Sequence, residues 1–382
     1  MQKSFALTLL AACGTLVTAC GDNLGPNSGV TPDASGPDGT IAPSRAVVVS
    51  GDFITPGFTG VMSSLALETM EVQQRVSPNG SIGNDPMLRK VGNELFIVNR
   101  ADGNNVTILD ATTFALVEQL ATGAGANPQD VAVVGDQLYV PATGTAGLVV
   151  LTRGSTTITT IDLGDLDPDG KPDCVSAYRV GNLVYVACGL LDQTFTPRGP
   201  GKVVVIDTTT NTRTATVTLS SVNPFGVFEA LPGAGGLVIP TVSFADVTVG
   251  CVERITTGGT PASAGCLVPN SELGGFVGRI AVQPIGTTDM MWMVVANGMF
   301  GPGERSQLWG YDLGTSTLWA DPVTPGTQLL VDVAVCPDDH VVVADKGSTE
   351  NGLRVYLGGT EKTTAPKAIG LKPGSSHGLV CY

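Results

Sequence analysis

"GNLVYVAC", residues 181–188, places a Gly-Asn turn before an alternating run of Val, Tyr and Ala, and the same phrase returns along the chain. Beside "VYVAC" from Val184 stand "VVVSG" from Val47, "LFIVN" from Leu95, "LYVPA" from Leu138, "LVIPT" from Leu237, "MVVAN" from Met293 and "VVVAD" from Val341. The intervals between Val47 and Val341 average about 49 residues, which is the spacing of a blade and not of a single hairpin. A second apolar strand precedes several copies, as "VAVV" from Val131, "VSAY" from Val175, "IAVQ" from Ile280 and "VAVC" from Val333.

Seven copies predict an all-β chain: a seven-bladed β-propeller of four-stranded antiparallel blades over residues 45–382. "HGLVCY", at the very end, has no second strand after it. It should close the ring as the innermost strand of the first blade, whose own start is "RAVVVS" from Arg45, and so hide the edges that an open sheet exposes. Composition agrees. The 382 residues hold 50 Gly and 25 Pro, are 42% hydrophobic, and show no long amphipathic helical period. The net charge of −14 makes nucleic acid a poor partner, because a phosphate backbone needs basic patches.

"GNLVYVAC" followed by "GKVVVIDTTTNTRTATVTLSSVNPFGV" (201–227) resembles the YVTN-family β-propeller repeat, and 95–140 repeats the pattern more loosely. The resemblance covers four blades at most and implies the fold. It implies no particular activity, since such propellers are scaffolds for varied ligands.

Residues 1–19 read as a secretory signal peptide, with one lysine, a short apolar stretch and small residues before a cysteine. Val17-Thr18-Ala19-Cys20 resembles a bacterial lipobox, which implies cleavage before Cys20, acylation of that cysteine and anchoring in a membrane. Gly21 stands where an aspartate would favour inner-membrane retention, so the expected destination is the outer membrane. Residues 20–44 are then the lipidated cysteine and a Gly/Pro/Ser/Asp tether, spanning about 25 to 30 Å as a flexible coil.

"DLDPDGKPDC" (165–174) concentrates four aspartates in a chain that is only 14% charged. Asp165, Asp167 and Asp169, the Lys171 carbonyl and Asp173 match positions 1, 3, 5, 7 and 9 of a calcium loop, with Gly170 at the turn. The segment resembles the calcium repeats of thrombospondin type 3 and dockerin modules, although Ser176 occupies the place of the usual glutamate and Asp162 or a water would have to complete the shell. A structural calcium stiffening the junction of the third and fourth blades is the expectation. In the expected hairpins Cys174 faces Cys188 and Cys251 lies near Cys266, leaving Cys336 and Cys381 to clasp the ring.

With two histidines, His340 and His377, and no CxxC, haem and multi-histidine metal chemistry are disfavoured. "DMMWMVVANGMF" (289–300) reads as blade core. A ligand, if present, belongs at the channel mouth, among residues just before the inner strands: Asp85, Asp130, Asp173, Phe225, Arg279, Asp332 and His377. Of these Asp130, Arg279, Asp332 and His377 are the candidate ligand-binding set, for a protein, basic peptide, saccharide or cation. Three functions stay open: a lipid-anchored extracytoplasmic binding or scaffold module, a lactonase-like or quinoprotein-like propeller enzyme using an acidic mouth and a metal, and a structural cell-envelope protein.

Overall fold

A computed structural model describes residues 44–283, 289–298, 303–347, 349–374 and 377–382. Cys20 and the signal peptide lie outside them. Seven four-stranded antiparallel sheets form the blades. Blade one is Arg45–Ser50, Val61–Ala66 and Glu71–Gln74, with Leu379–Cys381 as its innermost strand. Blades two to seven follow in chain order, each beginning with its innermost strand: Pro86–Val91, Ala132–Val134, Cys174–Val180, Glu229–Ala230, Phe276–Val282 and Leu330–Val335. The ring is therefore closed by pairing the chain's last strand, through Ala46–Cys381, Val47–Val380 and Val48–Leu379, to its first described one.

Burial follows strand position. The second strands, such as Leu183–Cys188 and His340–Asp345, are buried at all but their first residue, because neighbouring blades cover both of their faces. This is why "VYVAC"-like runs are apolar on both sides of the pleat and not alternating. The outermost strands are polar and exposed, as in Ile158–Asp162 and Glu71–Gln74, which protects the open edge of each blade. Seven apolar clusters fill the seven interblade seams; Val47, Met62, Leu88 and Ile97 belong to one, Trp292, Leu308, Val333 and Tyr356 to another. Met290–Ala296 is buried throughout, so this part of the methionine-rich stretch is blade core, while Met299 and Phe300 lie outside the described residues.

Three disulfides join Cys174 to Cys188, Cys251 to Cys266 and Cys336 to Cys381. Cys174 and Cys188 stand directly opposite in the blade-four hairpin. Cys336–Cys381 ties blade seven to the closing strand of blade one, a covalent clasp over the join. The disulfides suggest an extracytoplasmic protein. Among the described residues no helix is long and apolar enough to cross a membrane.

Candidate functional site

Charged side chains on the innermost strands meet across blade boundaries. Arg89 of blade two grips Asp130, at the entry to blade three, with Nε–Oδ1 and Nη2–Oδ2 distances of 2.8 Å each. Asp130, fully buried, also accepts the Ser176 hydroxyl at 2.8 Å and the Ala177 N–H at 3.0 Å from blade four. Ser176 Oγ in turn accepts the Phe228 N–H leading into blade five at 2.9 Å. Burial opposes the charge on Arg89, but the Asp130 carboxylate outweighs it and holds the guanidinium above its ordinary value.

The motif recurs. Arg279 of blade six donates Nε–H to Asp332 of blade seven at 2.9 Å, and Asp332 accepts the Leu379 N–H of blade one at 2.9 Å. Arg279 Nη1 also reaches Glu229 of blade five at 2.7 Å. Arg89 and Arg279 hold equivalent places: each pairs with a second-strand residue, Phe96 or Val294, three before an asparagine, Asn99 or Asn297. Register shifts at Cys174/Ser176, Val277/Arg279 and Leu330/Asp332 mark where Ser176, Arg279 and Asp332 are turned to these partners. Burial holds the Asp332 carboxyl above its ordinary value, against the pull of Arg279.

Thus the sequence-predicted ligand set divides. Asp130, Arg279 and Asp332 are 8% exposed or less and staple three blades apiece. Arg89 and Glu229, which the sequence reading did not single out, and Ser176, noted there only at the place of a calcium-loop glutamate, complete those staples.

His377, 6% exposed, lies elsewhere, at the mouth. It lines a cavity of about 60 Å³ with Gln129, Val175 and the Phe225-Gly226-Val227 segment, and Arg100 completes the wall. These residues precede or open the inner strands of blades one, three, four and five, apart from Arg100, which follows the second strand of blade two. Arg100 Nη2 binds Asp85 at 2.6 Å, while its Nε is buried with no hydrogen-bond partner among the described residues. Phe225 is held by edge-on contacts to Phe244 at 5.4 Å and Phe276 at 6.1 Å. Gly226 sits at φ +122°, a backbone that L side chains rarely adopt, and a Cβ there would stand 3.4 Å from His377 Nε2 and from Pro240 Cγ.

The same face carries the loops joining second to third strands. Phe53 and Ile54 of blade one are 51% and 85% exposed, and Phe195 of blade four is 66% exposed. Asp52 fixes the first loop by accepting the Ile54 and Thr55 N–H groups at 3.1 and 3.0 Å, and Asp192 fixes the second by accepting those of Thr194 and Thr196 at 2.8 and 3.0 Å.

The aspartate loop does join blades three and four, but its carboxylates are directed to cations of this chain. Arg213 clasps Asp165 at 3.0 and 2.7 Å, and Arg198 bonds both Asp167 and Asp169. These two arginines stand 29 to 48 residues away in sequence. The Arg213 contact lowers the Asp165 carboxyl, and a hydrogen bond from the Lys171 N–H, with Arg198, lowers Asp169. Burial, with Asp167 and Asp169 nearby, raises Asp173, whose Oδ2 accepts the Leu191 N–H at 2.8 Å. Asp162 accepts the Gly164 N–H at 2.8 Å. So arranged, the carboxylates do not surround a common point, and among the described residues no cluster of three acidic, histidine or cysteine side chains is set to hold a metal.

No family model matches the chain, and no curated protein matches it. Solved structures do. A putative 6-phosphogluconolactonase from Bacteroides uniformis is 13% identical, with 89% of this chain and 99% of that one covered and a TM-score of 0.58. A functionally unknown protein from Desulfotomaculum acetoxidans is 11% identical over 86% and 97% of the two chains, with a TM-score of 0.57. Apo AztD from Citrobacter koseri is 14% identical over 89% and 98%, with a TM-score of 0.51. At such identities the likeness is one of fold: a seven-bladed β-propeller.

Proposed function

We propose that the chain is an extracytoplasmic binding or scaffold propeller of the YVTN-like kind, anchored to the outer membrane through an acylated Cys20 and facing a protein, peptide or saccharide partner with its mouth side. The observation that carries the reading is the engagement of the channel carboxylates. Asp130 and Asp332 are consumed by Arg89, Arg279 and backbone N–H groups, so they hold blades together and are not poised for acid–base work. Fixed, exposed Phe53, Ile54 and Phe195 on the mouth side suit contact with a partner. Arg45, near the start of the described residues, bonds the Tyr382 carbonyl through its N–H at the opposite end of the inner strands from the mouth, and an anchor upstream of it would leave the mouth directed outward.

Metabolic labelling with palmitate and membrane fractionation, in wild type and Cys20→Ser, test the anchor. Labelled wild type in the outer-membrane fraction and unlabelled, released variant are expected; unlabelled wild type overturns it. Calcium at Asp165, Asp167, Asp169, Lys171 and Asp173 belongs to this proposal only as a competitor of Arg198 and Arg213. The buried Asp167 Oδ2, without a hydrogen-bond partner among the described residues, is the atom that would gain from an ion.

A further inference from the structure

Among the described residues no carboxylate lines the mouth cavity, in a chain whose net charge is −14. Asp85 is already bonded to Arg100 through Nη2 at 2.6 Å. The Arg100 Nε–H is left buried without an acceptor among the described residues, and a buried donor in that state is unfavourable until an oxygen reaches it. Beside it stand apolar walls: Val175, Val227 and the fixed ring of Phe225. An occupant matching both features carries an anionic oxygen at one end and a short hydrocarbon at the other. About 60 Å³ holds a group of a few heavy atoms and no more.

We propose that this cavity binds one aliphatic carboxylate, its oxygen accepting from Arg100 Nε–H and its carbon chain packing on Phe225. The inference rests on the binding-module reading and names its ligand class. A free short-chain acid and the C-terminal carboxylate of a docked peptide share this chemistry. Phe53, Ile54 and Phe195 are exposed on the same face.

Calorimetric titration of the purified intact protein tests it, using butyrate, the neutral butyramide and butylammonium as probes. One butyrate per chain, with no binding of butylammonium and weaker binding of butyramide, is expected. Arg100→Gln and Arg100→Lys should each weaken butyrate about tenfold or more, since both lose the Nε–H, while the melting temperature certifies folding. Gly226→Ala, strained at φ +122° and crowding His377, should weaken binding. Unchanged butyrate affinity in a folded Arg100→Gln variant, or no butyrate heat in wild type, overturns the proposal. A dipeptide with a free C-terminus, compared with its amide, separates the two sources: tighter binding of the free peptide than of butyrate assigns a peptide end, and the reverse assigns a small acid. Failure of all these probes leaves the binding-module reading standing. Release of acid from γ-butyrolactone by the same protein would overturn that reading and leave the carboxylate site as a product site.

Discussion

Arg89 and Asp130 face each other across the boundary of blades two and three in a two-pronged ion pair, both N–O distances 2.8 Å, and the same aspartate bonds blade four. Asp130→Ala would strand a buried guanidinium and two donors of blade four. A loss of about 3 to 5 kcal/mol in stability is expected from denaturant unfolding, as for breaking one side of a buried pair. Asp130→Asn, which can still accept from Ala177, should cost less. Equal stability of Asp130→Ala and wild type would show that the staple does not hold the ring.

The clasp closes the longest loop of the three disulfides, 45 residues against 14 and 15. Replacing Cys336 and Cys381 by serine should therefore destabilise by about 2 to 5 kcal/mol, roughly 1 kcal/mol more than removing either hairpin disulfide on the chain-entropy account. Thermal melting of the three double variants ranks them. A larger loss from the Cys251/Cys266 pair would place the strain of ring closure elsewhere.

Arg198 is the competitor for the aspartate loop, so Arg198→Gln should make stability calcium-dependent: a melting point that rises with calcium and falls with chelator. Wild type should respond less. Elemental analysis of both proteins gives the stoichiometry, and a calcium tightly held by wild type would mean that the ion displaces the arginine.

The exposed Asp165–Arg213 pair predicts a pH dependence. Asp165 is held below its ordinary value of 3.8 by Arg213, so its contribution is present above that value and is lost as pH falls through the lower folded one. Asp332 and Asp173 act in the opposite sense, because burial raises them and favours the protonated folded state. Arg213→Gln should thus lower the melting temperature slightly near neutrality and leave it unchanged once Asp165 is protonated, so that the acid limb below about pH 4 is flatter. An acid limb as steep as that of wild type would assign acid lability to other carboxylates.

The strands were legible because each second strand repeats an apolar phrase that packing on both faces demands, and "HGLVCY" was legible as the closing strand because it lacked a hairpin partner of its own. Both cysteine pairs within hairpins followed from turn position, and the clasp from what remained. The mouth was less legible. Asp130 and Asp332 were recognisable as residues entering the inner strands, yet their partners Arg89 and Arg279 stand 41 and 53 residues away, one blade back, and nothing local links them. The same holds for Arg198 and Arg213 over the aspartates.

By itself, then, the sequence determined the number of blades, the order of strands, the ring closure and the cystines, since these depend on periodicity and on hairpins, where contacts are near in the chain. Only the tertiary structure decided which charges remain available at the axis. Burial and pairing are set by side chains that adjacent blades bring to one place, and there the acidic mouth became a set of interblade staples, leaving Arg100, Phe225 and His377 around the cavity.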